Sequence, residues 1–473
     1  MKLKRYEVLA DEITASIQAG TRRAGDRLPS VRQTSASRGL SATTVFKAYY
    51  LLEARGLIRA RDRSGYYVVG KPKALPPELE AGAPAESRRV DVDVSDRVLH
   101  VLQLTMRRDV VPFGSAFPHP SLFPHARLAR AMASSVAALD PWSSVDDLSA
   151  GNTRLRRAIA LRYLADGVQV RTEDIVITNG ALEALNLCLG AVTRPGDSVL
   201  IESPTFYSAL QSLERLGLRA IEVPAHPREG IELDALARAI DTHRPAACWL
   251  MTNFQNPLGS LMPEGKKRAL VELLAARDVP LIEDDVYSEL YFGAQRPLPA
   301  KAYDESGIVM SCSSFSKSLA PGWRIGWVLG GRYADRILRG KLSLSLSTSA
   351  PSQAALATYL EHGGYDRHLR QLRQTLEQQR NQVMEAIARH FPPGTRTTHP
   401  DGGYFLWVAL PPQVDALAVH RAALSLGVST APGPIFSVQD RFRHCLRLNY
   451  GHPFDARAQD GLATLGKLIA RQC

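Results

Sequence analysis

The sequence predicts an α/β protein, with a small basic helical module ahead of a large body built on a mainly parallel sheet. Three observations predict it. Strand-like and helix-like runs alternate over most of the chain, the pattern of a sheet covered by helices. The first 70 residues instead read as short capped helices followed by a strand pair. They also hold most of the excess charge: the net is +11, of which residues 1–70 carry +7, with 13 Lys and Arg against 6 Asp and Glu.

At 473 residues the chain is too long for one ordinary core and suits two or three domains. Its 45% apolar and 22% charged residues fit a globular protein. Cys188, Cys248, Cys312, Cys445 and Cys473 are scattered with no CxxC pair, which points away from a metal site and from a disulfide framework. The opening MKLKRYEVLADEI lacks the apolar core of a signal peptide, and no apolar run is long enough to span a bilayer. The expectation is a cytoplasmic protein with no membrane partner.

In "RLPSVRQTSASRGLSATTVFKAYYLLEARGLI", Ser30 is placed to cap a short helix that runs to Arg38 and ends at Gly39. Ser41 caps a second helix, with Val45, Ala48, Leu51 and Leu52 at core spacing. Two helices joined by a Gly-containing turn form the helix-turn-helix signature. "RARDRSGYYVV" then gives two strand-like runs around a polar turn at Arg63–Gly65, a β-wing. The plain alternative is a small bundle without a ligand, and the concentrated charge argues against it.

"GDRLPSVR", "SATTVFKAYYLLEARGLI" and "SGYYV" resemble, in order and spacing, the winged helix-turn-helix of the GntR family, over nearly all of residues 1–70. The resemblance implies a double-stranded DNA operator as partner. It places Arg32, Ser41, Thr43, Thr44, Lys47 and the wing Gly65 at the DNA. Residues 71–95, rich in Pro, Ala and charge with little apolar periodicity, read as a linker. The body is then 96–473.

In the body, "DIVITNG", "SVLIES", "AACWLMTNF", "PLIEDDVY", "GIVMSCSS" and "RIGWVLG" read as buried strands. Ligands on such sheets gather at the carboxyl ends of the strands. Asn179, Asn256, Asp284, Tyr287, Ser314 and Lys317 fall at those ends. Gly180, between a strand and a helix start, leaves the amides of Ala181 and Leu182 open to a phosphate. Taken singly, each of these is an ordinary turn or cap residue; the ordered series is not.

The series resembles the class I/II aminotransferases of fold type I over roughly residues 110–470. These proteins use pyridoxal 5′-phosphate and have a smaller C-terminal α+β domain beside the large sheet. The resemblance implies that Lys317 attaches the cofactor and that Asp284 faces its ring nitrogen. Tyr287 and Asn256 match the groups that bond its phenolic oxygen, and Phe206 the aromatic that stacks on its ring. Ser314 and Arg324 match its phosphate ligands, together with the helix start Gly180–Leu182. Arg447, in "CLRLNYG", matches the arginine that holds a substrate carboxylate, a bidentate task suited to guanidinium. No metal is implied. Two positions depart from the pattern. Asp146 stands where many relatives carry a tyrosine that reaches the partner subunit, and Ala181 and Leu182 offer only backbone donors.

A GntR-type head on such a body resembles the MocR subfamily of bacterial regulators. This implies a homodimeric transcription regulator that senses cofactor or an amine or amino-acid ligand. The alternative is a working aminotransferase with an accessory DNA-binding domain. A cofactor-free scaffold is a third reading.

Overall fold

A computed structural model of the chain describes residues 4–22, 25–61, 65–69, 75–81, 87–96, 98–99, 109–142, 150–362, 364–439 and 441–473. The chain divides into two compact units, Met1–Leu75 and Pro76–Cys473.

In the first unit α1 (Arg5–Gln18), α2 (Val31–Arg38) and α3 (Ala42–Ala54) precede an antiparallel pair, β1 (Ile58–Arg61) and β2 (Gly65–Val68). The caps expected from the sequence form. Ser30 and Gln33 exchange side-chain bonds to each other's backbone N–H groups, and Ser41 accepts from the Thr44 N–H. Gly39 closes α2 in the left-handed region at φ 62°, where a Cβ would be strained. Leu9, Ile13, Ile17, Leu28, Val45, Tyr49, Leu52 and Val68 make the core. The Tyr49 hydroxyl lies 2.6 Å from Thr34 Oγ1 and donates to the Pro29 carbonyl at 2.8 Å, pinning α3 to α2. Leu51 is only half-buried, because Tyr49 and Leu52 take the inward positions. The wing tip, 62–64, lies outside the described residues.

The second unit contains β3 (Arg89–Asp91), β4 (Val111–Pro112), β5 (Ile175–Thr178), β6 (Ser198–Ser203), β7 (Arg219–His226), β8 (Gly230–Ile231), β9 (Ala247–Leu250), β10 (Leu281–Asp284), β11 (Val309–Ser314) and β12 (Gly326–Leu329). Among the described residues they form one sheet in the order β3-β7-β6-β9-β10-β11-β12-β5, with β8 beside β7; β4 lies outside it. Strands β7, β6, β9, β10 and β11 are parallel, whereas β12 runs against both of its neighbours. Every residue of β9, β10, β11 and β12 is buried, which is why these strands read as continuous runs rather than alternating ones.

A smaller lobe follows, with β13 (Arg396–Thr397), β14 (Phe405–Ala409), β15 (Val428–Ser429), β16 (Ala431–Pro432) and β17 (Cys445–Asn449). Its antiparallel sheet has the order β13-β14-β17-β16, and β15 pairs with β4. Helices Tyr365–His390 and Ala456–Ala470 cover it around a core that includes Leu376, Val383, Leu406, Leu448 and Leu465.

The structure differs from the sequence reading between 71 and 95. The second unit starts at Pro76, and Arg89–Asp91 is an edge strand paired with β7. Leu79 N–H donates to the Thr397 carbonyl at 2.9 Å. These segments are held by backbone bonds, ion pairs and the isolated apolar contacts of Leu79, Val92 and Val94, too few and too scattered to leave a periodicity in a sequence.

Candidate functional site

Lys317 sits in the turn after β11, and its flanking serines fix that turn. Arg324 Nη1 donates to Ser316 Oγ at 3.3 Å. On the other side Ser318 Oγ lies 2.7 Å from the Tyr365 hydroxyl, and His368 Nε2 donates to the Ser318 carbonyl at 2.7 Å. The Lys317 amine is thereby held at the mouth of a cavity of about 550 Å³ at the carboxyl ends of β10 and β11. Its Nζ donates to the Ala116 carbonyl at 3.1 Å and lies 4.3 Å from the centre of the Phe117 ring.

Asp284, the last residue of β10, lines the same cavity and is fully buried, and its Oδ1 has no partner. Burial pushes its carboxyl up to about 7, against the opposing pull of Lys317. Burial, with Arg447 beside it, brings the Lys317 amine down to about 7, against the pull of Asp284. Each group is thus poised to change its charge near neutrality. Tyr287 stands edge-on to Tyr404 at 5.5 Å, its phenol raised by burial.

Arg447 and Asn256 are buried behind this wall. Arg447 Nη1 donates to Asn256 Oδ1 at 3.2 Å, and Nη2 donates to the carbonyls of Gly114 at 2.9 Å and Ser115 at 3.1 Å. The guanidinium lies 4.2 Å from the Phe405 ring centre. Asn256 Nδ2 and Arg447 Nε have no partner. Unpaired buried polar atoms are costly, and three of them converge on one cavity and the layer behind it.

At the other end of the cavity, helix Ala181–Val192 begins at Gly180, whose φ is 87°. A Cβ there would stand 2.3 Å from Arg324 Nη2, and one on Gly326 would stand 2.7 Å from the Ala181 nitrogen. Arg324 Nη2 donates to the Asn179 carbonyl at 3.2 Å. Ala181, Leu182, Ser314 and Arg324 line this end, with Phe206 on one side. The result is a cradle of helix-terminal amides, a hydroxyl and a guanidinium, a good anion site.

Apart from Asp146, the body residues singled out from the sequence line this cavity or lie against it. The sequence reading missed Tyr207, Ser316, Tyr404 and the strap Ser115–Phe117, which also build it. For the strap the only signal was the "FGSAFPHP" run of small and turn residues before a helix. Asp146 lies outside the described residues.

In the first unit Arg32, Thr43 and Lys47 are exposed and Thr44 is half-buried. Ser41 Oγ is engaged by the Thr44 N–H and lies 2.8 Å from Thr44 Oγ1, so it serves the start of the helix. Gly65 has φ 98°, and a Cβ there would stand 3.5 Å from the Arg27 guanidinium. Phe46 is also exposed, at 54%, on the face shared by Thr43 and Lys47, and was not foreseen. Arg38 and Arg55 pair with Glu12 and Asp11, which moderates the basic charge on that side.

Fold and site together define a DNA-reading head joined to an aminotransferase body. Residues 5–68 match the bacterial regulatory proteins of the gntR family, and residues 148–455 match aminotransferase class I and II. The chain is 46% identical, over 99% of both chains, to the uncharacterized HTH-type transcriptional regulator YdcR of Escherichia coli. Its body superimposes on the multiple substrate aminotransferase of Thermococcus profundus with a TM-score of 0.73 at 28% identity, covering 79% of this chain and 94% of that one. A similar match, with a TM-score of 0.72 at 28% identity and the same coverage, is the α-aminoadipate aminotransferase LysN of Thermus thermophilus, solved with N-(5′-phosphopyridoxyl)-L-leucine. The chain belongs to the MocR-type regulators, GntR proteins that carry a class I and II aminotransferase domain. Among the described residues no helix is long and apolar enough to cross a membrane, and no cluster of metal-ligating side chains occurs.

Proposed function

We propose that the chain is a DNA-binding transcription regulator whose body holds pyridoxal 5′-phosphate and responds to that cofactor, or to an amine or amino acid joined to it. The observation that carries this reading is the set of unpaired buried atoms around Lys317. Asp284 Oδ1 suits a pyridinium N–H, and Asn256 Nδ2 suits a phenolic oxygen. The Gly180 cradle, closed to any Cβ, suits the phosphate. The residues fit the cofactor, and the phosphopyridoxyl ligand of the LysN structure has the same chemistry.

When bound, pyridoxal phosphate supplies a carbonyl for amines and an electron-withdrawing ring. The chain's own residues do the rest. Lys317, with its amine brought down to about 7, is neutral and nucleophilic in a large fraction of molecules at physiological pH. Asp284 holds a proton at the ring nitrogen. Tyr287 and Asn256 orient the phenolic edge, and Phe206 covers a ring face. Arg324, Ser314 and the amides of Ala181 and Leu182 take the phosphate. Arg447 offers its fork to a carboxylate once the Gly114 and Ser115 carbonyls give way. In the head, Arg32, Thr43 and Lys47 face the duplex with the start of α3, and two heads in a homodimer read two half-sites.

The complete Lys317, Asp284, Tyr287, Asn256 and Arg447 set favours a second reading, a working aminotransferase. Two measurements decide between them: duplex affinity with and without cofactor, and turnover with amino-acid and keto-acid pairs. The regulator reading expects changed affinity and slow turnover. Unchanged affinity with rapid turnover overturns it.

A further inference from the structure

The first described residues of the second unit are fastened to the body by a dense set of bonds. Thr397 N–H donates to the Pro77 carbonyl at 3.0 Å, and Leu79 N–H donates to the Thr397 carbonyl at 2.9 Å. His399 Nε2 donates to the Pro76 carbonyl at 3.1 Å. Arg396 Nη1 donates to the Glu78 carbonyl at 3.2 Å and to Glu80 Oε1 at 2.6 Å. The Glu78 carboxylate receives both arms of Arg228, which also hold it below the usual carboxylate range.

These anchors belong to different lobes. Arg396, Thr397 and His399 lie on and just after β13 of the smaller lobe, whereas Arg228 lies in the β7–β8 turn of the large sheet. Both lead to the loop that carries Asn256. The Arg228 carbonyl accepts from the Leu261 N–H at 2.8 Å, and Asn253 forms a β-bridge with Leu261. From the other side Pro400 is so close to Gly259 that a Cβ on that glycine would stand 2.7 Å from Pro400 Cβ. Asn256 in turn meets Arg447. The path from Pro76 to the cavity is therefore continuous and short, and it begins where the chain leaves the DNA-reading unit.

We propose that Pro76–Glu80 is the clasp through which occupancy of the cavity alters DNA binding. The inference rests on the regulator reading above. A ligand that engages Asn256 and Arg447 resets the 253–261 loop. The loop then changes the purchase of Arg228 and β13 on Glu78 and Leu79, and that of His399 on Pro76. Surface ion pairs add little to stability. A clasp of two such pairs and four hydrogen bonds to backbone carbonyls therefore shifts readily between fastened and released, which is what coupling between two sites requires.

The test uses the full chain, a duplex selected by it from random sequence, and pyridoxal phosphate. In the unaltered protein the ratio of duplex affinities with and without cofactor is expected to be about fivefold or more. In Glu78→Ala/Arg396→Ala it should fall toward one, while cofactor affinity measured by absorbance stays near that of the unaltered protein. Reversal of the ion pair, Glu78→Arg with Arg228→Glu, should restore part of the ratio. A variant that keeps the full ratio overturns the clasp alone; a ratio of one in the unaltered protein overturns the regulator reading and the clasp with it. Hydrogen exchange on the unaltered protein is the second measurement, independent of how the variants fold. Cofactor should change protection at the Leu79 and Thr397 amides, and unchanged protection at both overturns the clasp.

Discussion

Arg447 on β17 donates to Asn256 Oδ1 at 3.2 Å, so one fully buried bond ties the smaller lobe to the loop behind β9. The same guanidinium holds the strap at Gly114 and Ser115. Arg447→Met should therefore leave two acceptors unpaired, Asn256 Oδ1 and the Gly114 carbonyl, while Asn449 keeps the Ser115 carbonyl, and should destabilise the protein by about 2–6 kcal/mol, read by urea unfolding. Arg447→Lys keeps the charge and loses the fork. It should retain cofactor but lose the spectral response to amino acids, while simple amines without a carboxylate still respond. An unchanged amino-acid response would remove Arg447 from ligand binding.

Lys317→Ala should abolish both the imine absorption band of the cofactor-loaded protein, leaving the band of the free aldehyde, and borohydride-stable attachment of cofactor, with little loss of fold. Peptide mapping after reduction checks the assignment. Label recovered on any other lysine would contradict it.

The titration of Asp284 gives a pH signature in the cofactor-free protein. The folded carboxyl keeps its proton up to about 7, whereas a free aspartate loses it near 3.8. Between those limits the folded state binds more protons than the unfolded, so stability falls as pH rises. Lys317, lowered to about 7 from 10.5, has the opposite slope above neutrality. Asp284→Asn should make the falling limb shallower, since buried Asp285 and Glu202 are raised into the same range and still feed it, and should leave the cofactor-free protein more stable above pH 7 by roughly 1–4 kcal/mol. It should also bind cofactor weakly. Denaturant unfolding at pH 5, 7 and 9 reads the limbs directly, and parallel profiles for both proteins would refute the account.

Gly180→Ala should impair cofactor retention more than stability, because the new methyl displaces Arg324 at a backbone φ of 87°. Dialysis followed by absorbance measures this. Retention equal to that of the unaltered protein would mean that the phosphate lies elsewhere.

Lys47→Ala and Arg32→Ala should each lower the salt slope of duplex binding by about one unit, if each neutralises a phosphate. Phe46→Ala should change sequence preference with the slope intact. Binding titrations over a range of salt separate the two effects, and a Lys47→Ala slope equal to the original would place that side chain off the backbone.

The strands and capped helices were legible because their signals are local: Ser30 with Gln33, Gly39, Ser41, and the buried runs of β5, β6 and β9 to β12. The cavity residues were legible only as an ordered series, since Asn256 or Asp284 alone reads as a turn or cap residue. Tyr207 and Tyr404 were not, because a tyrosine committed to a core and one facing a ligand look alike in sequence. Nor was the attachment of Glu78 and Leu79, which depends on partners about 150 and 320 residues away in the chain.

The contact between Gly326 and the start of helix Ala181–Val192 has a consequence for descent. A Cβ on Gly326 would stand 2.6 Å from the Gly180 carbonyl carbon, and one on Gly180 would run into Arg324. The two glycines answer to different constraints. At Gly326 the obstacle is backbone on both sides, so that position must stay glycine whatever the cavity holds, whereas at Gly180 the obstacle is the movable end of the Arg324 side chain. Of the two, only position 180 can drift once an anion no longer holds Arg324 in place, and position 326 is the internal control: a descendant that changed the first and kept the second would have lost its ligand without losing its fold.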